Sequence, residues 1–298
     1  MKLKKSVRHR LEFALLVLCT CVFRLIPFRV NLTIAGVLGG LLFHLNRKHR
    51  ERALYNLTQA FPKKKKMELL YILREVYINL CKVYIEFLYL PLLRKSYFKK
   101  NVSVKGVENL DKALKKKKGI IAVTGHIDNW ELLGAIMIQT GYPLDALYHP
   151  MRNPYSDRFI NRIREKAGIG LIDMNRALRP CLKALKKNHL LGLIADQDAG
   201  RDGVFVDFFK RPASTAIGPA FFSIKTRAPM LLFTLIREKD DTHTLHISKE
   251  LKVRVTGNTE KDIYYNTKLW SDEFEKWVRK YPAQWFWVHR KWHTKKNL

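Results

Sequence analysis

The chain has few acidic residues and few cysteines for its length. Its 298 residues include 26 Asp and Glu against 56 Lys and Arg, which gives a formal net charge of +30. Such an excess indicates an anionic partner: nucleic acid, an anionic membrane surface, or an acidic protein or substrate. The cysteines, which show no metal-ligand spacing, are Cys19, Cys21, Cys81 and Cys181. We interpret them as buried thiols in a reducing compartment and predict neither a metal nor a cofactor.

A clean apolar run of the ~20 residues that cross a membrane is also missing. A basic start over residues 2–10 precedes an apolar stretch, 11–23, in which Glu12 is the only charge, and a second uncharged stretch spans 30–45. No small-x-small site follows the first stretch, so we do not expect a cleaved signal peptide. Both flanks are basic, which suits a single span, a hairpin or an in-plane anchor equally. We predict a membrane-anchor segment over residues 1–50; a buried soluble helix pair is the alternative.

The remainder of the chain, residues 51–298, alternates predicted strands with predicted helices. Apolar stretches predict strands at 120–123, 145–148, 190–195, 230–236, 244–247 and 251–255. Helical periodicity and glycine or proline boundaries predict helices at 54–61, 67–90, 107–114, 130–140, 157–167, 178–187, 214–225 and 262–280. This order predicts one α/β domain, with a central, mostly parallel or mixed sheet flanked by helices.

The stretch GHIDNWE places His126 three residues after the predicted strand 120–123. Ligands of α/β proteins gather at the carboxyl ends of strands, and Gly125 lets the backbone turn sharply there. An imidazole at this place can accept a proton from a hydroxyl, and a carboxylate on its other nitrogen would fix its tautomer. Five positions on a continuous helix lie about 140° apart around the axis. His126 and Glu131 therefore meet only if His126 lies in the turn and Glu131 in the first helical turn.

Structural interpretations of the same residues stay open at this point. Asp128 and Glu131 fit a capping box, with Asp128 as the N-cap of the helix and Glu131 at its third position. A hydrogen-bonded structural histidine is at least as common as a catalytic base. Spacing alone does not decide between these interpretations.

Four blocks of the sequence, in order, resemble the bacterial lipid A biosynthesis acyltransferases. These lauroyl and myristoyl transferases are a branch of the lysophospholipid acyltransferase superfamily, whose shared motif is His-x4-Asp or His-x4-Glu. The blocks similar to the family's are GHIDNWE (125–131), YHPMRNP (148–154), IADQDAGRDGVFVDFFKRPAST (194–215) and YPAQWFWVHRKW (281–292). The stretches RHRLEF and NLTQAFP also look like this family, so the similarity spans nearly the whole chain.

The resemblance implies roles for particular residues. It implies His126 as the general base on the acceptor hydroxyl and Glu131 as the residue that orients it. It implies that Arg164 binds phosphate or the oxyanion, although an exposed helix arginine is the alternative. Asp196 and Gln197, at the end of the predicted strand 190–195, would line the same face and contact substrate, unless Asp196 holds its own loop together.

Two further residues of the blocks, Asn129 and Arg152, complete the predicted substrate-binding set. Trp285, Trp287 and His289 in the last block are more typical of a core or of a membrane interface than of a ligand site.

The chain departs from the family pattern at three positions. His149 stands where an arginine is usual, and Lys210 where a glycine usually follows the phenylalanine pair. Asp128 replaces a commoner small residue. These departures leave the His126 and Glu131 motif intact, but they weaken any inference about the acceptor.

The resemblance implies a membrane-bound enzyme that moves a fatty acyl chain from acyl carrier protein, or acyl-CoA, to a hydroxyl of a lipid A precursor. The expected location is the bacterial inner membrane, with the active site toward the cytoplasm. An acidic carrier protein and an anionic glycolipid both suit the charge of +30, and nucleic acid is not expected as a partner. One rival is a sibling acyltransferase acting on phosphatidylinositol mannosides, glycerolipids or aminolipids. The other is a non-enzymatic basic protein that binds anionic membranes or nucleic acid.

Overall fold

The computed structural model describes residues 2–295, with side chains from residue 6 onward. Its helices are α1 Lys2–Leu25, α2 Phe28–Leu45, α3 Arg47–Ala60, α4 Lys66–Tyr89, α5 Lys95–Asn101, α6 Val107–Leu114, α7 Trp130–Gln139, α8 Pro154–Lys166, α9 Leu178–Lys186, α10 Gly218–Thr226 and α11 Thr259–Lys280. Its strands are β1 Val102–Lys105, β2 Ile120–Thr124, β3 Leu144–Tyr148, β4 Gly170–Asp173, β5 Leu190–Ile194, β6 Val204–Phe208, β7 Arg211–Thr215, β8 Met230–Arg237 and β9 His243–Ile247.

Seven of these strands form one sheet in the order β1-β9-β8-β2-β5-β3-β4. All neighbours run parallel except β8 and β9, which are antiparallel. The predicted α/β fold with a mostly parallel, mixed sheet is therefore confirmed. In a parallel sheet the carboxyl ends of the strands lie along one edge, and that edge carries the candidate site.

The central strand β2 is buried on both faces, and its side chains divide between two cores. Ile121 and Val123 pack in one core, with residues of α9 and α11. Ile120 and Ala122 pack in the other, with residues of α6 and α7. Alternate residues of a strand point to opposite faces, so a continuous apolar run is what a doubly covered strand requires.

Two predicted elements differ in the structure. Residues 214–225 are predicted as one helix, but β6 and β7 pair as an antiparallel hairpin that ends at Thr215, and α10 begins only at Gly218. Residues 251–255 are predicted as a strand and form none. The regular pairing along β8 ends just before these residues. The backbone N–H of Leu232 donates to the side-chain hydroxyl of Ser248 and not to a backbone carbonyl of a neighbouring strand.

The hairpin turn also gives a physical meaning to one departure from the family pattern. Phe209 and Lys210 both have left-handed backbone conformations, with φ of 55° and 59°. Glycine adopts this conformation without the steric cost that a Cβ imposes. The glycine that is usual at position 210 suits this turn, and Lys210 occupies it at some cost.

The N-terminal helices α1 and α2 meet at a bend and lie against the rest of the protein. Helix α2 packs closely on α4: a Cβ on Gly39 would lie only 2.5 Å from the Cα of Ile78. Among residues 2–295, one helix, α2, is long and apolar enough to cross a membrane, by length and composition only. The division into an anchor over residues 1–50 and a domain over 51–298 stays a prediction.

The prediction of four buried thiols is wrong in part. Cys181 is buried, Cys19 and Cys81 are partly buried, and Cys21 is exposed. All four are free. Cys21 lies on the outer face of α1, which the other residues that the structure describes leave exposed.

Candidate active site

A cavity of about 720 Å³ opens at the carboxyl ends of β2, β3 and β5. Its mouth carries polar side chains, among them His126, Gln197 and Arg164. Its deeper part is apolar and lies between the sheet and α7, lined by Ala122, Leu133, Gly134, Leu144, Ile169, Gly192 and Phe233. The size and the mixture of apolar walls with a few polar groups are typical of ligand sites.

His126 and Asp196 meet because β2 and β5 are adjacent parallel strands. Thr124 and Ile194 are paired in register, so the two residues after each strand lie side by side. Nδ1 of His126 lies 2.7 Å from Oδ1 of Asp196, and the backbone N–H of His126 donates to Oδ2 at 2.9 Å. At Gly125 a Cβ would lie 2.8 Å from the Asp196 carboxyl carbon and closer still to Phe274. Only glycine permits this approach.

The Asp196 carboxylate is buried and fully engaged. Besides the two contacts from His126, it accepts a hydrogen bond from Nε1 of Trp285 at 2.7 Å. Burial alone would raise the pKa of Asp196, but the attraction of His126 and these hydrogen bonds hold it well below its ordinary value. An ionised carboxylate only accepts hydrogen bonds, so Nδ1 of His126 donates to it. In the neutral tautomer that carries this proton, Nε2 is the nitrogen that can accept one.

The Nε2 side of His126 faces the cavity. The side-chain amide of Gln197 lies 3.3 Å from Nε2. The rings of Trp130 and Phe286 pack around the imidazole, at centroid distances of 4.7 and 6.1 Å. These neighbours fix the plane of the ring and leave Nε2 as its exposed edge.

Glu131 has a different partner from the one expected. Its carboxylate accepts two hydrogen bonds from the guanidinium of Arg164, Nε to Oε2 at 2.9 Å and Nη2 to Oε1 at 2.5 Å. The expectation that Glu131 orients His126 is therefore not met by this geometry, in which Asp196 occupies Nδ1. Glu131 does lie in the first turn of α7 and lines the same cavity.

Arg164 reaches the site from α8. Its Nη1 donates to Oδ1 of Asn161 at 3.0 Å, so three of its donors are fixed. Burial disfavours its charge, but the hydrogen bonds and attraction of Glu131 outweigh burial and raise the pKa of Arg164. Of the residues in 2–295 that line the cavity, Arg164 alone has a permanent positive charge.

The capping prediction for α7 is wrong by one residue. Asn129, not Asp128, is the N-cap: its Oδ1 accepts from the N–H of Leu132 at 2.9 Å. Its Nδ2 donates to Oε2 of the buried Glu86 at 2.7 Å. Asn129 is thus fully buried and is held as a structural residue rather than exposed to a ligand.

Asp128 is free to turn away from the helix because its backbone is left-handed, with φ of 42°. Its carboxylate accepts from Nε of Arg237 at 3.2 Å, and Arg237 also donates to Glu86 at 2.6 and 2.7 Å. These side chains are buried. The buried ion network therefore ties the turn after His126 to α4 and β8.

The last block of the sequence packs behind the same turn. The backbone N–H of Asp128 donates to Gln284 at 2.8 Å, and the N–H of Phe286 donates to the carbonyl of His126 at 3.0 Å. Trp285 and Trp287 are buried, as predicted for core residues. Trp285 nevertheless contacts Asp196, so it belongs to the wall of the site.

The sequence gives no signal for Glu86, Arg237 or Gln284 as site supports, because their partners lie far away along the chain. Arg152, predicted to bind substrate, is an exposed residue of the loop before α8, beside the cavity-lining Met151. Within residues 2–295 no group of three or more ligating side chains is placed to hold a metal ion.

The fold and the site define an α/β protein with a histidine–carboxylate pair at the mouth of a largely apolar cavity, at the sheet edge where such folds bind ligands. The family model of bacterial lipid A biosynthesis acyltransferases matches residues 1–294. The chain belongs to this family, and it is an acyltransferase.

Individual relatives agree with the family match. A lipid A biosynthesis palmitoleoyltransferase of Escherichia coli is 27% identical over 273 residues, covering 91% of this chain and 87% of that protein. A lipid A biosynthesis acyltransferase of Haemophilus influenzae is 24% identical over 274 residues, covering 91% and 84%. A phosphatidylinositol mannoside acyltransferase of Mycobacterium tuberculosis is 26% identical over 196 residues, covering 63% and 58%.

Proposed function

We propose that the protein transfers a fatty acyl chain from a thioester to a hydroxyl of a lipid A precursor, with His126 as general base and Asp196 as the carboxylate that orients it. The observation that carries this proposal is the 2.7 Å contact from Nδ1 of His126 to Asp196, with Nε2 turned to the cavity. This arrangement presents an unprotonated nitrogen to an incoming hydroxyl, which is what a general base requires.

The reaction follows from that geometry. Nε2 of His126 takes the proton of the acceptor hydroxyl while its oxygen forms a bond to the thioester carbonyl carbon. The tetrahedral intermediate collapses as the carbon–sulfur bond breaks, and the thiolate takes the proton back from the imidazolium. Asp196 stabilises the imidazolium between these steps, and its low pKa keeps it ionised throughout.

Glu131 and Arg164 form the second functional pair. We assign them to positioning of the anionic substrate rather than to the base. Arg164 alone, among the described cavity-lining residues, can hold a phosphate or a developing oxyanion by permanent charge. Glu131 holds the guanidinium plane in place through two hydrogen bonds. The amide of Gln197, beside Nε2, is a further donor for the oxyanion.

The apolar depth of the cavity suits the acyl chain. Its walls between the sheet and α7 are aliphatic or aromatic, and small residues at Ala122, Gly134 and Gly192 leave the space open. Burial of a hydrocarbon chain there yields about 0.8 kcal/mol for each CH₂ group. The thioester carbonyl would then lie at the mouth, next to His126.

The donor and the location are part of the same proposal. Exposed arginines flank residues that line the mouth: Arg152 follows Met151, Arg176 lies two residues after Met174, and Arg201 precedes Asp202. This distribution suits an acidic acyl carrier protein, which is the donor we propose. We place the enzyme at the inner membrane with the cavity toward the cytoplasm, where such a donor is available.

The test is acyl transfer by the purified full-length enzyme in detergent, with acyl carrier protein or CoA thioesters as donors and a lipid A precursor as acceptor. We expect the acceptor to gain the mass of one acyl chain. Failure of the acceptor to gain an acyl chain from either donor, with correctly folded enzyme, would contradict the proposal.

A second acceptor class is favoured by one observation. The mycobacterial relative is named for phosphatidylinositol mannoside, a glycolipid that also carries a phosphate and sugar hydroxyls. The same assay with phosphatidylinositol mannoside as acceptor distinguishes the two. We expect transfer to the lipid A precursor to have the higher kcat/KM.

A further inference from the structure

The outer face of α1 carries an apolar stripe that the described residues leave exposed. The exposed side chains recur at helical spacing: Val7, Leu11, Leu15, Leu18, Val22 and Leu25. From Leu11 to Leu25 the stripe is about 21 Å long at 1.5 Å per residue. Contiguous exposed apolar surface of this kind marks a binding surface.

Helix α1 is fixed to the catalytic domain near both of its ends. Toward the N-terminus, Nδ2 of Asn153 donates to the carbonyl of His9 at 2.9 Å and to Glu12 at 3.0 Å. Toward the C-terminus, Nη2 of Arg24 donates to the carbonyl of Leu88 at 2.6 Å. A helix held along the domain in this way lies flat against it, so its outer stripe faces away along the whole length.

The bend between α1 and α2 is held as firmly. The buried Asn31 donates from Nδ2 to the carbonyl of Phe23 at 2.6 Å and to the hydroxyl of Tyr89 at 2.7 Å. Tyr89 donates in turn to the carbonyl of Ile26 at 2.6 Å. These bonds satisfy the open backbone carbonyls at the end of α1 and tie the bend to α4.

Helix α2 is the one described helix with the length and apolarity of a membrane span, but its neighbours argue against that role. The face of α2 that lies against α4 is buried along its length. Arg74 of α4 lies beside it, with Nη2 3.7 Å from the Cβ position of Gly40, and Lys82 lines a groove together with Arg29 and Thr33.

A crossing α2 would bring these charges into hydrocarbon. Each charged side chain near the bilayer centre costs about 2.5–3.5 kcal/mol on insertion scales. Separating α2 from α4 instead would expose the buried Asn31 and open the packed surface at Gly39. Both routes are unfavourable, whereas placing the outer faces of α1 and α2 in one leaflet buries their leucines and disturbs no contact.

We infer that α1 and α2 attach the protein to one leaflet of an anionic phospholipid bilayer, lying in the membrane plane, and that the chain does not cross the membrane. Exposed cations lie at both flanks of the helices, Arg8 and Arg10 near the start of α1 and Arg47 and Lys48 after α2, and they match anionic headgroups. The net charge of +30 adds to this attraction.

The position of the stripe relative to the cavity supports the same occupant. Asn153, which binds α1, belongs to the loop that carries the cavity-lining His149 and Met151. Met151 and Met174 are half exposed at the mouth and add apolar surface there. A lipid substrate could then enter from the leaflet without passing through water. The inference rests on the proposed function only in taking a membrane lipid as the substrate.

Cysteine labelling on the full-length chain tests the topology. In a background lacking the four native cysteines, single cysteines replace Arg8, Arg29 or Lys48, with Lys187→Cys as the control on the catalytic domain. An impermeant maleimide is applied to spheroplasts and to inverted inner-membrane vesicles. We expect all three anchor positions to react only from the side on which the Lys187→Cys control reacts.

Each crossing topology gives a different, contradictory result. A hairpin that spans twice places the Arg29 position on the opposite side. If α1 alone spans the membrane, the Arg8 position lies on the side opposite to the control. If α2 alone spans it, both the Arg8 and the Arg29 positions lie on that opposite side. Labelling from one side only, in a protein that transfers no acyl chain, would support the in-plane topology and contradict the proposed chemistry. Failure of the topology and failure of the proposed function are therefore distinguishable.

Vesicle flotation tests the surface itself. A triple variant should bind vesicles that contain phosphatidylglycerol at least 10-fold more weakly than the wild type. It carries Leu11→Asp, Leu15→Asp and Leu18→Asp. Tyr264→Asp, on the exposed face of α11, is the matched control and should bind like the wild type. Undiminished flotation of the folded triple variant would overturn the assignment of the stripe.

Discussion

At the residue scale, the site contains two carboxylates with separate partners. Asp196 is held by His126 and Trp285, and Glu131 by Arg164. The sequence places His126 and Glu131 five positions apart, which favours the interpretation of a pair. The pairing actually formed depends on β2 and β5 being neighbours, and that adjacency brings a residue 70 positions away to the histidine. Long-range pairing of this kind is not encoded in local spacing.

Lys291 gives a residue-scale prediction that depends on pH. The side chain is buried against Thr215, and burial lowers the pKa of its amine from the ordinary 10.5 to about 8. Between these pH values the unfolded chain binds a proton that the folded chain does not, so the stability of the folded state rises with pH. Below pH 8 both states are protonated and this contribution is absent.

We therefore expect the free energy of unfolding of the wild type, relative to Lys291→Met, to increase by up to about 3 kcal/mol between pH 7.5 and 10.5. Denaturant unfolding of both proteins across this range measures it. A difference that stays constant with pH would show that the amine is not desolvated as described.

At the element scale, the strands and the long helices follow from apolar periodicity. Where the structure differs from the prediction, the reason lies outside that periodicity. The hairpin of β6 and β7 turns at two left-handed residues without glycine, and the capping site moves from Asp128 to Asn129 because Arg237 and Glu86 hold the turn from other elements. Turn residues and distant ion pairs are the features that a single sequence does not reveal.

The hairpin turn gives a direct test. Lys210→Gly removes a Cβ from a backbone with φ of 59° and should raise the free energy of unfolding by about 1 kcal/mol. Lys210→Ala keeps the Cβ and serves as the control, with no gain expected. Equal stability of the glycine and alanine variants in chemical denaturation would contradict the strain at this turn.

The packing of β5 against α7 gives a second test at this scale. Gly192 lines the apolar depth of the cavity, and a Cβ there meets Leu144 at an ordinary 3.6 Å. Larger side chains should fill the cavity without breaking the strand. Across Gly192→Ala, Gly192→Val and Gly192→Leu, we expect the preferred acyl donor to become progressively shorter, as measured by kcat/KM for donors of different length. An unchanged preference in folded variants would place the acyl chain elsewhere.

At the scale of the whole molecule, the positive charge and the uncovered apolar faces act together. Positively charged side chains are distributed around the mouth and along α1 and α2 rather than in one patch, and in the proposed function they attract both a carrier protein and a membrane. The composition predicts anionic partners but not their places. The position of the membrane-facing surface relative to the cavity depends on the contact of α1 with the loop of Asn153. That contact joins residues far apart along the chain, so only the folded structure reveals it.

The donor prediction belongs to this scale. Arg176→Glu with Arg179→Glu reverses two exposed charges near Met174, which lines the mouth. We expect KM for acyl carrier protein thioesters to rise about 10-fold or more, with kcat and the KM for acyl-CoA little changed. Lys186→Glu with Lys187→Glu, also exposed but at the far end of α9, is the matched control. An equal effect on both donors would indicate that these arginines do not contact the carrier protein.

The most direct test of the account is the single-turnover rate of acyl transfer at saturating donor and acceptor for Asp196→Asn and Glu131→Gln, beside His126→Ala. The asparagine retains the shape of the carboxylate but cannot stabilise the imidazolium, so we expect Asp196→Asn to slow transfer at least about 100-fold, toward the rate of His126→Ala. Glu131→Gln should act mainly on KM for the acceptor, so it should change the rate at saturating acceptor much less than Asp196→Asn does. Wild-type transfer rates in folded Asp196→Asn, with loss of the rate in Glu131→Gln, would contradict the assignment of Asp196 and return Glu131 to the histidine.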